Sequence, residues 1–275
     1  MLNDSFINKI ILVAGASGGI GSSVVSRLSG SDSNLIAFYN KNHPDFQTDN
    51  NISLIKADLT KADEWDRVLH FTFQKYGKLD VLINCTGVLI PGDFLNQTEE
   101  QINEMININL SSVLIGTQKA LKLMKRQKFG HIINIGSIGG IIPMPFSTVY
   151  SATKFALRGF THSLAQELKD SNVSVSLVSP GPVNTKMLLL EADHYKTSIA
   201  FLNKALKPEK VADSIIKIIN KPKTEVILPY SLSIPSRAVF LFPELFSKSY
   251  MVIEKIGIWR KRSYIKNQFD LSLQK

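Results

Sequence analysis

The feature that most restricts the fold of this chain is a repeated alternation. Short apolar runs rich in β-branched residues are each followed by a longer segment with helical spacing of apolar positions. A strand that is apolar on both faces must be covered on both, and a parallel sheet with helices on each side gives that cover. The runs predict strands at Ile10–Ala14, Leu35–Tyr39, Ser53–Ala57, Val81–Ile83, His131–Ile135, Val173–Val178 and Glu225–Leu228. Helices are expected at Ile20–Leu28, Ala62–Tyr76, Glu99–Met124, Thr148–Leu168 and Pro208–Ile219. Pro208 suits a first helical turn, where its missing N–H would be unpaired in any case. The expected architecture is an α/β doubly wound parallel sheet of about seven strands, helices on both faces, over residues 1–230. Residues 231–275 form a C-terminal extension expected to pack on the same domain or at an interface.

Composition agrees with one such domain. A chain of 275 residues with 44% apolar content can build a single core of this kind. Cys85, the one cysteine, cannot form an intramolecular disulfide, and Ile10–Ala14 is too short for the apolar core of a secretory signal. A reducing, cytoplasmic setting is expected. The balance of 32 basic against 23 acidic residues gives a net charge of +9. The lysines are dispersed and no basic motif interleaved with aromatics occurs, so nucleic acid is not an expected partner. A solvated basic surface that also suits an anionic ligand accounts for the charge.

Beyond Pro229 the pattern changes to Pro235, the run Ala238–Phe242, Pro243, and a segment carrying Tyr250, Ile253, Ile256, Ile258 and Trp259 before Arg260-Lys261-Arg262. A membrane span needs about 20 apolar residues, and Pro243, Glu244, Lys248, Glu254 and Lys255 interrupt this one. Two readings stay open. The tail is a helix pair over a ligand pocket or a subunit interface, which is the preferred reading. Alternatively it makes peripheral membrane contact, its basic cluster on anionic headgroups.

Ala14-Gly15-Ala16-Ser17-Gly18-Gly19-Ile20-Gly21 follows the first strand and opens the first helix. In that context Gly15 permits a tight turn, Gly19 lets backbone approach a pyrophosphate, and Gly21 lets helix and strand pack closely. Gly15, Ser17, Gly19, Ile20 and Gly21 are therefore candidate dinucleotide contacts in a Rossmann-type fold. At the end of the second strand, where an acidic residue would accept the ribose hydroxyls, the chain has Tyr39, Asn40 and Lys41. The missing acid and the Lys41 charge favour NADP(H). NAD(H) stays open, because Gly18 offers no basic side chain and Lys41 also fits a solvated loop before Pro44.

Ser137 ends the strand that contains Ile132–Ile135, and ligands in such sheets lie beyond the carboxyl ends of the strands. Tyr150 and Lys154, four apart on the following helix, share a face. Hydride transfer to a carbonyl builds negative charge on its oxygen, which a proton donor must relieve. A free phenol has a pKa of about 10, and a nearby cation favours phenolate, a role open to Lys154. His131, His162 and His194 lack a metal-ligand spacing, so no metal is expected.

With the Gly15, Gly19 and Gly21 spacing, Tyr150 and Lys154 make the chain resemble the classical short-chain dehydrogenases/reductases from about Ile10 to Leu228. The resemblance implies that Tyr150 is general acid or base, that Ser137 holds the substrate oxygen and that Lys154 also holds the nicotinamide ribose. Asn109, in Asn107-Ile108-Asn109-Leu110, matches the fourth catalytic member, linked to Lys154 through a water relay. Asp58, followed by Leu59, matches the adenine contact. Asn84-Cys85-Thr86-Gly87 matches the N-N-A-G pattern only at Asn84 and Gly87. Pro180, Gly181, Val183 and Thr185 match the segment that meets the nicotinamide, and homodimers or homotetramers built through the helices of Asn109 and Tyr150 are implied. Ile138, Ile141, Ile142, Met144 and Phe146, with Met187–Leu190, Ile199, Phe201 and Leu202, are expected to wall an apolar pocket for a lipid-like or steroid-like carbonyl or secondary alcohol. Nucleotide-sugar epimerases share Tyr-x-x-x-Lys but fit the glycine spacing less well. The competing class is a non-catalytic dinucleotide-binding regulator or scaffold.

Overall fold

The computed structural model describes residues 6–44, 46, 49–239 and 241–273, with side chains of the last helix up to Asn267. Seven parallel strands form one sheet in the order β3-β2-β1-β4-β5-β6-β7. They are β1 Ile10–Ala14, β2 Asn34–Tyr39, β3 Ile52–Lys56, β4 Val81–Asn84, β5 Gly130–Ile135, β6 Val173–Pro180 and β7 Glu225–Leu228. Each was expected; β1 and β7 have the expected ends, and the others are displaced by one or two residues. The helices are α1 Gly19–Leu28, α2 Ala62–Tyr76, α3 Glu99–Ile106, α4 Ser112–Gln127, α5 Thr148–Glu167, α6 Lys186–Asp193, α7 Pro208–Asn220, α8 Ser233–Ala238 and α9 Pro243–Leu273.

Both sheet faces are closed, which is why the strands read as continuously apolar. On one face Ile11, Val13, Leu35 and Ile133 pack against Val24, Val25 and Leu28 of α1 and Val211, Ile215 and Ile218 of α7. On the other, Leu12, Ile36, Leu82 and Ile132 meet Trp65, Val68 and Leu69 of α2, Ala120 and Met124 of α4, and Leu164 of α5. The α2 and α4 helices approach closely because position 116 is glycine: a Cβ there would lie 2.3 Å from the Trp65 ring. Sheet order reverses between β1 and β4, the crevice where open α/β sheets receive ligands.

The sequence predicted one helix over Glu99–Met124, and the structure breaks it. Residues Asn107–Ser111 widen into a turn of π-helix between α3 and α4. The cause is tertiary. Asn109 is fully buried and its amide clasps a neighbouring segment, accepting from Val88 N at 2.7 Å and donating to Val88 O at 2.9 Å. Such widened turns recur at functional sites, and apolar period does not register them.

Candidate active site

The turn after β1 is shaped by close contacts that only hydrogen tolerates. Gly15 has φ +82°, and a Cβ on it would fall 2.9 Å from Thr86 N and 3.0 Å from Cys85 O. At Gly19 a Cβ would meet the Thr185 methyl at 2.5 Å, so the start of α1 touches the loop after β6. The first turn of α1 has Gly18 as its cap, with no side-chain cap and no acidic residue. Its N–H groups therefore point at the crevice and suit an anion. Thr86 lines the same cavity with a buried hydroxyl oxygen that has no partner among the described residues. Ile20, Gly87, Pro180, Gly181, Val183 and Thr185 line the same cavity. Asn84 lies deeper, donating to Asn134 Oδ1 at 2.8 Å within the sheet.

At the end of β2, Tyr39 stacks edge-on against His43 with ring centres 5.1 Å apart, and Asn40 and Lys41 are exposed. Asn40 reaches Asp58 Oδ1 at 3.5 Å, and the same oxygen accepts from Thr60 Oγ1 at 2.7 Å. Asp58 is thus held at the sheet edge beside the β2 end, while Leu59 turns into the core. Ser17 is exposed on the turn.

Ser137, Tyr150 and Lys154 come together at the end of β5. Ser137 and Tyr150 both border Gly139, where an added Cβ would lie 3.4 Å from Ser137 Oγ and 3.5 Å from a Tyr150 ring carbon, and Ser137 Oγ accepts from Gly139 N at 3.0 Å. Lys154 donates to Ile135 O at 2.9 Å and stands 5.8 Å from the centre of the Tyr150 ring. Gly87 shows how Asn109 joins them: a Cβ there would lie 3.5 Å from Asn109 Oδ1 and 3.7 Å from Lys154 Nζ. Asn109 also donates to Thr153 Oγ1 at 3.2 Å, one residue before that lysine. All four predicted side chains therefore border one region, placed there by β5, α5 and the π turn.

Burial rules their titration. It pushes the Tyr150 phenol up to about 12, with the Ser137 hydrogen bond acting the other way and the Glu191 charge adding to the rise. Burial also brings the Lys154 ammonium down to about 8. The expected pull of Lys154 toward phenolate is not among the causes of the Tyr150 shift, of which burial is the largest. Cys85 is likewise pushed up to about 12 by burial, which keeps it a thiol.

The cavity beside these groups has a volume of about 320 Å³, in the range of small-molecule sites. Ile138, Ile142, Met144, Met187, Leu188, Ile199 and Leu202 line it as expected. Leu189 and Leu190 do not; they are 41% and 48% exposed on the outer side of α6. Ile141 and Phe201 sit in packed clusters, and Phe146 stacks on His194 with ring centres 6.0 Å apart. The tail, read as a helix pair over a ligand pocket or a subunit interface, supplies Pro235, Ser236, Val239, Phe246, Ile253 and Ile256 to the wall. Gly257 brings α9 against the Ser198 backbone, where a Cβ would lie 2.5 Å from the carbonyl oxygen. Among the described residues no helix is long and apolar enough to cross a membrane.

Residues 9–195 match the family model of the short chain dehydrogenases. The chain belongs to that family. Two curated oxidoreductases, both without a characterised reaction, extend the match. One from Staphylococcus saprophyticus is 33% identical over 226 residues, covering 78% of this chain and 92% of the relative. One from Staphylococcus aureus is 31% identical over 221 residues, covering 78% of this chain and 93% of its own length. Among solved structures, a short-chain dehydrogenase/reductase from Burkholderia phymatum in complex with NAD aligns with TM-score 0.74 at 17% identity, over 87% of this chain and 95% of that one. ElxO with NADP bound aligns with TM-score 0.71 at 25% identity, over 82% and 100%. The chain is thus an oxidoreductase of the short-chain dehydrogenase family, and the matched 9–195 region ends before α7, α8 and α9.

Proposed function

We propose that this dehydrogenase transfers hydride between NADP(H) and the carbonyl or secondary alcohol of an apolar substrate, with Tyr150 as the proton donor and acceptor. The observation that carries this reading is the meeting of Ser137, Tyr150 and Lys154 on the wall of a largely apolar cavity. When bound, the nicotinamide supplies or accepts the hydride. Ser137 then orients the substrate oxygen, Tyr150 gives it a proton in reduction or removes one in oxidation, and Lys154 stabilises the resulting phenolate.

A dinucleotide fits the residues present. The uncapped start of α1 would receive its pyrophosphate, Thr86 offers a hydroxyl with no partner among the described residues, and Asp58 and Leu59, beside the end of β2, would hold the adenine. The relatives bind either NAD or NADP by their descriptions. Preference for the phosphorylated form rests on exposed Lys41 and the absence of an acid beside it.

Titration of purified protein with NADPH and NADH, followed by nicotinamide fluorescence, tests the cofactor assignment. NADPH should bind the more tightly, and Lys41→Asp should weaken NADPH at least about tenfold, or about 1.4 kcal/mol, with little change for NADH. Equal affinities in the wild type would return the choice to NAD. A screen of apolar ketones under saturating NADPH then separates an enzyme from a binding scaffold, since a scaffold would hold the dinucleotide and oxidise none of it.

A further inference from the structure

Hydride transfer leaves one ionisable group of the cavity without a role. Glu191, near the end of α6, is 93% removed from solvent yet forms part of the cavity wall, as its 7% residual exposure records. Its Oε1 accepts from Ser147 Oγ at 3.3 Å. Among the described residues, no lysine, arginine or histidine lies within ion-pair distance of the carboxylate.

The nearest cation is occupied elsewhere. Lys261 of α9 directs its ammonium to backbone carbonyls, those of Glu191 at 2.8 Å, Thr197 at 3.2 Å and His194, and to the Thr197 hydroxyl at 3.2 Å. It braces the α6 backbone and does not close an ion pair. The wall that Glu191 shares is largely apolar, with Met144, Leu188, Ile199 and Phe246 on the same cavity. A carboxylate in such a place is costly unless something that enters the cavity donates to it. Consistent with this, burial raises the carboxyl to about 7.

We propose that Glu191 receives a protonated amine on the otherwise apolar substrate, so that the preferred substrates are amino ketones or amino alcohols held at both ends. The reacting carbon sits at Ser137 and Tyr150, and the ammonium sits at Glu191. An ammonium is favoured over a hydroxyl because it neutralises a carboxylate that no described side chain pairs at ion-pair distance and that the charge of Lys261 only partly offsets, whereas a hydroxyl only hydrogen-bonds it. The substrate half of this inference rests on the hydride-transfer reading; the amine site itself does not.

Three apolar ketones of equal length, ending in ammonium, hydroxyl or methyl, would be compared in wild type and Glu191→Gln. Glutamine keeps an acceptor for Ser147, and the NADPH affinity of each variant checks its folding. The wild type should prefer the ammonium ketone to the methyl one at least tenfold in kcat/KM, mostly through KM, and Glu191→Gln should abolish that ratio. An unchanged ratio in the variant, or no preference in the wild type, overturns the assignment. A hydroxyl ketone favoured as strongly as the ammonium one also overturns it, in favour of uncharged recognition. Should no ketone turn over, calorimetric binding of a plain alkylamine to the NADPH-loaded protein decides the site separately. Binding that Glu191→Gln removes upholds it, and no binding ends it.

Discussion

The two sides of the cavity are built differently. On the sheet side, Ser137, Tyr150 and Lys154 stand at the end of β5 and on α5, tied to the backbone by bonds such as Lys154 to Ile135 and backed by closed packing on both sheet faces. On the tail side, Phe246, Ile253 and Ile256 come from a helix whose outer residues Leu245, Met251, Val252 and Trp259 are exposed. That helix is held by Lys261, by the Gly257 contact with Ser198 and by Tyr264, which donates to Asn184 at 2.9 Å. The contrast teaches that the reacting groups belong to the rigid sheet, while much of the surface that selects a substrate belongs to a lightly attached cover.

The sharpest way to separate the sides is Tyr150→Phe. Removing the hydroxyl should lower kcat by about 10²- to 10⁴-fold while NADPH affinity changes little, as read by steady-state kinetics and fluorescence titration. Substantial turnover by the variant would take the proton transfer away from α5.

Acid should weaken the sheet through His131. His131 of β5 is buried beside Ser176, 2.8 Å away, and burial lowers its pKa to about 4. Above pH 6.5 neither the folded nor the unfolded chain carries this proton, so its stabilising contribution is complete. As pH falls from 6.5 to 4 the unfolded chain takes the proton first and the His131 contribution, about 3 kcal/mol, is lost, while Glu191, whose carboxyl burial raises to about 7, acts in the opposite direction. Denaturant midpoints across that range should fall less steeply in His131→Gln than in the wild type.

Lys261→Met tests the cover. Loss of its hydrogen bonds to buried carbonyls should cost about 2 kcal/mol, read as a lower denaturation midpoint, and raise KM for an apolar ketone while NADPH affinity stays as it was. A change in NADPH affinity as large as the change in KM would mean that the two sides are one unit. The smallest effect is expected from Ile253→Ala, which trims the wall by about 1 kcal/mol and should raise KM roughly fivefold without altering kcat.

The sheet side was legible because its signals are local. Strands Ile10–Ala14 and Val173–Pro180 announce themselves by apolar runs, and Tyr150 and Lys154 by a spacing that one helix enforces. What escaped depends on distant partners. The π turn at Asn107–Ser111 exists because Asn109 clasps Val88, a pairing across 21 positions. Glu191 reads as one acidic residue on a short helix, and Lys261 braces its backbone from 70 positions away. A weak signal was present: Glu191 stands three residues after Leu188, on the inward face of α6, while Leu189 and Leu190 turn outward. The direction of the Tyr150 shift was missed for a similar reason, since burial is a property of the fold and the Tyr-x-x-x-Lys spacing shows only the cation.

The tail that lies over the cavity, with Phe246, Ile253 and Ile256 on its wall, comes from the same chain as Ser137 and Tyr150. Cover and reacting groups therefore travel together. Dilution that separates copies of this protein should leave KM where it was, and mixed assemblies of intact and Tyr150→Phe copies should lose turnover in simple proportion to the altered fraction.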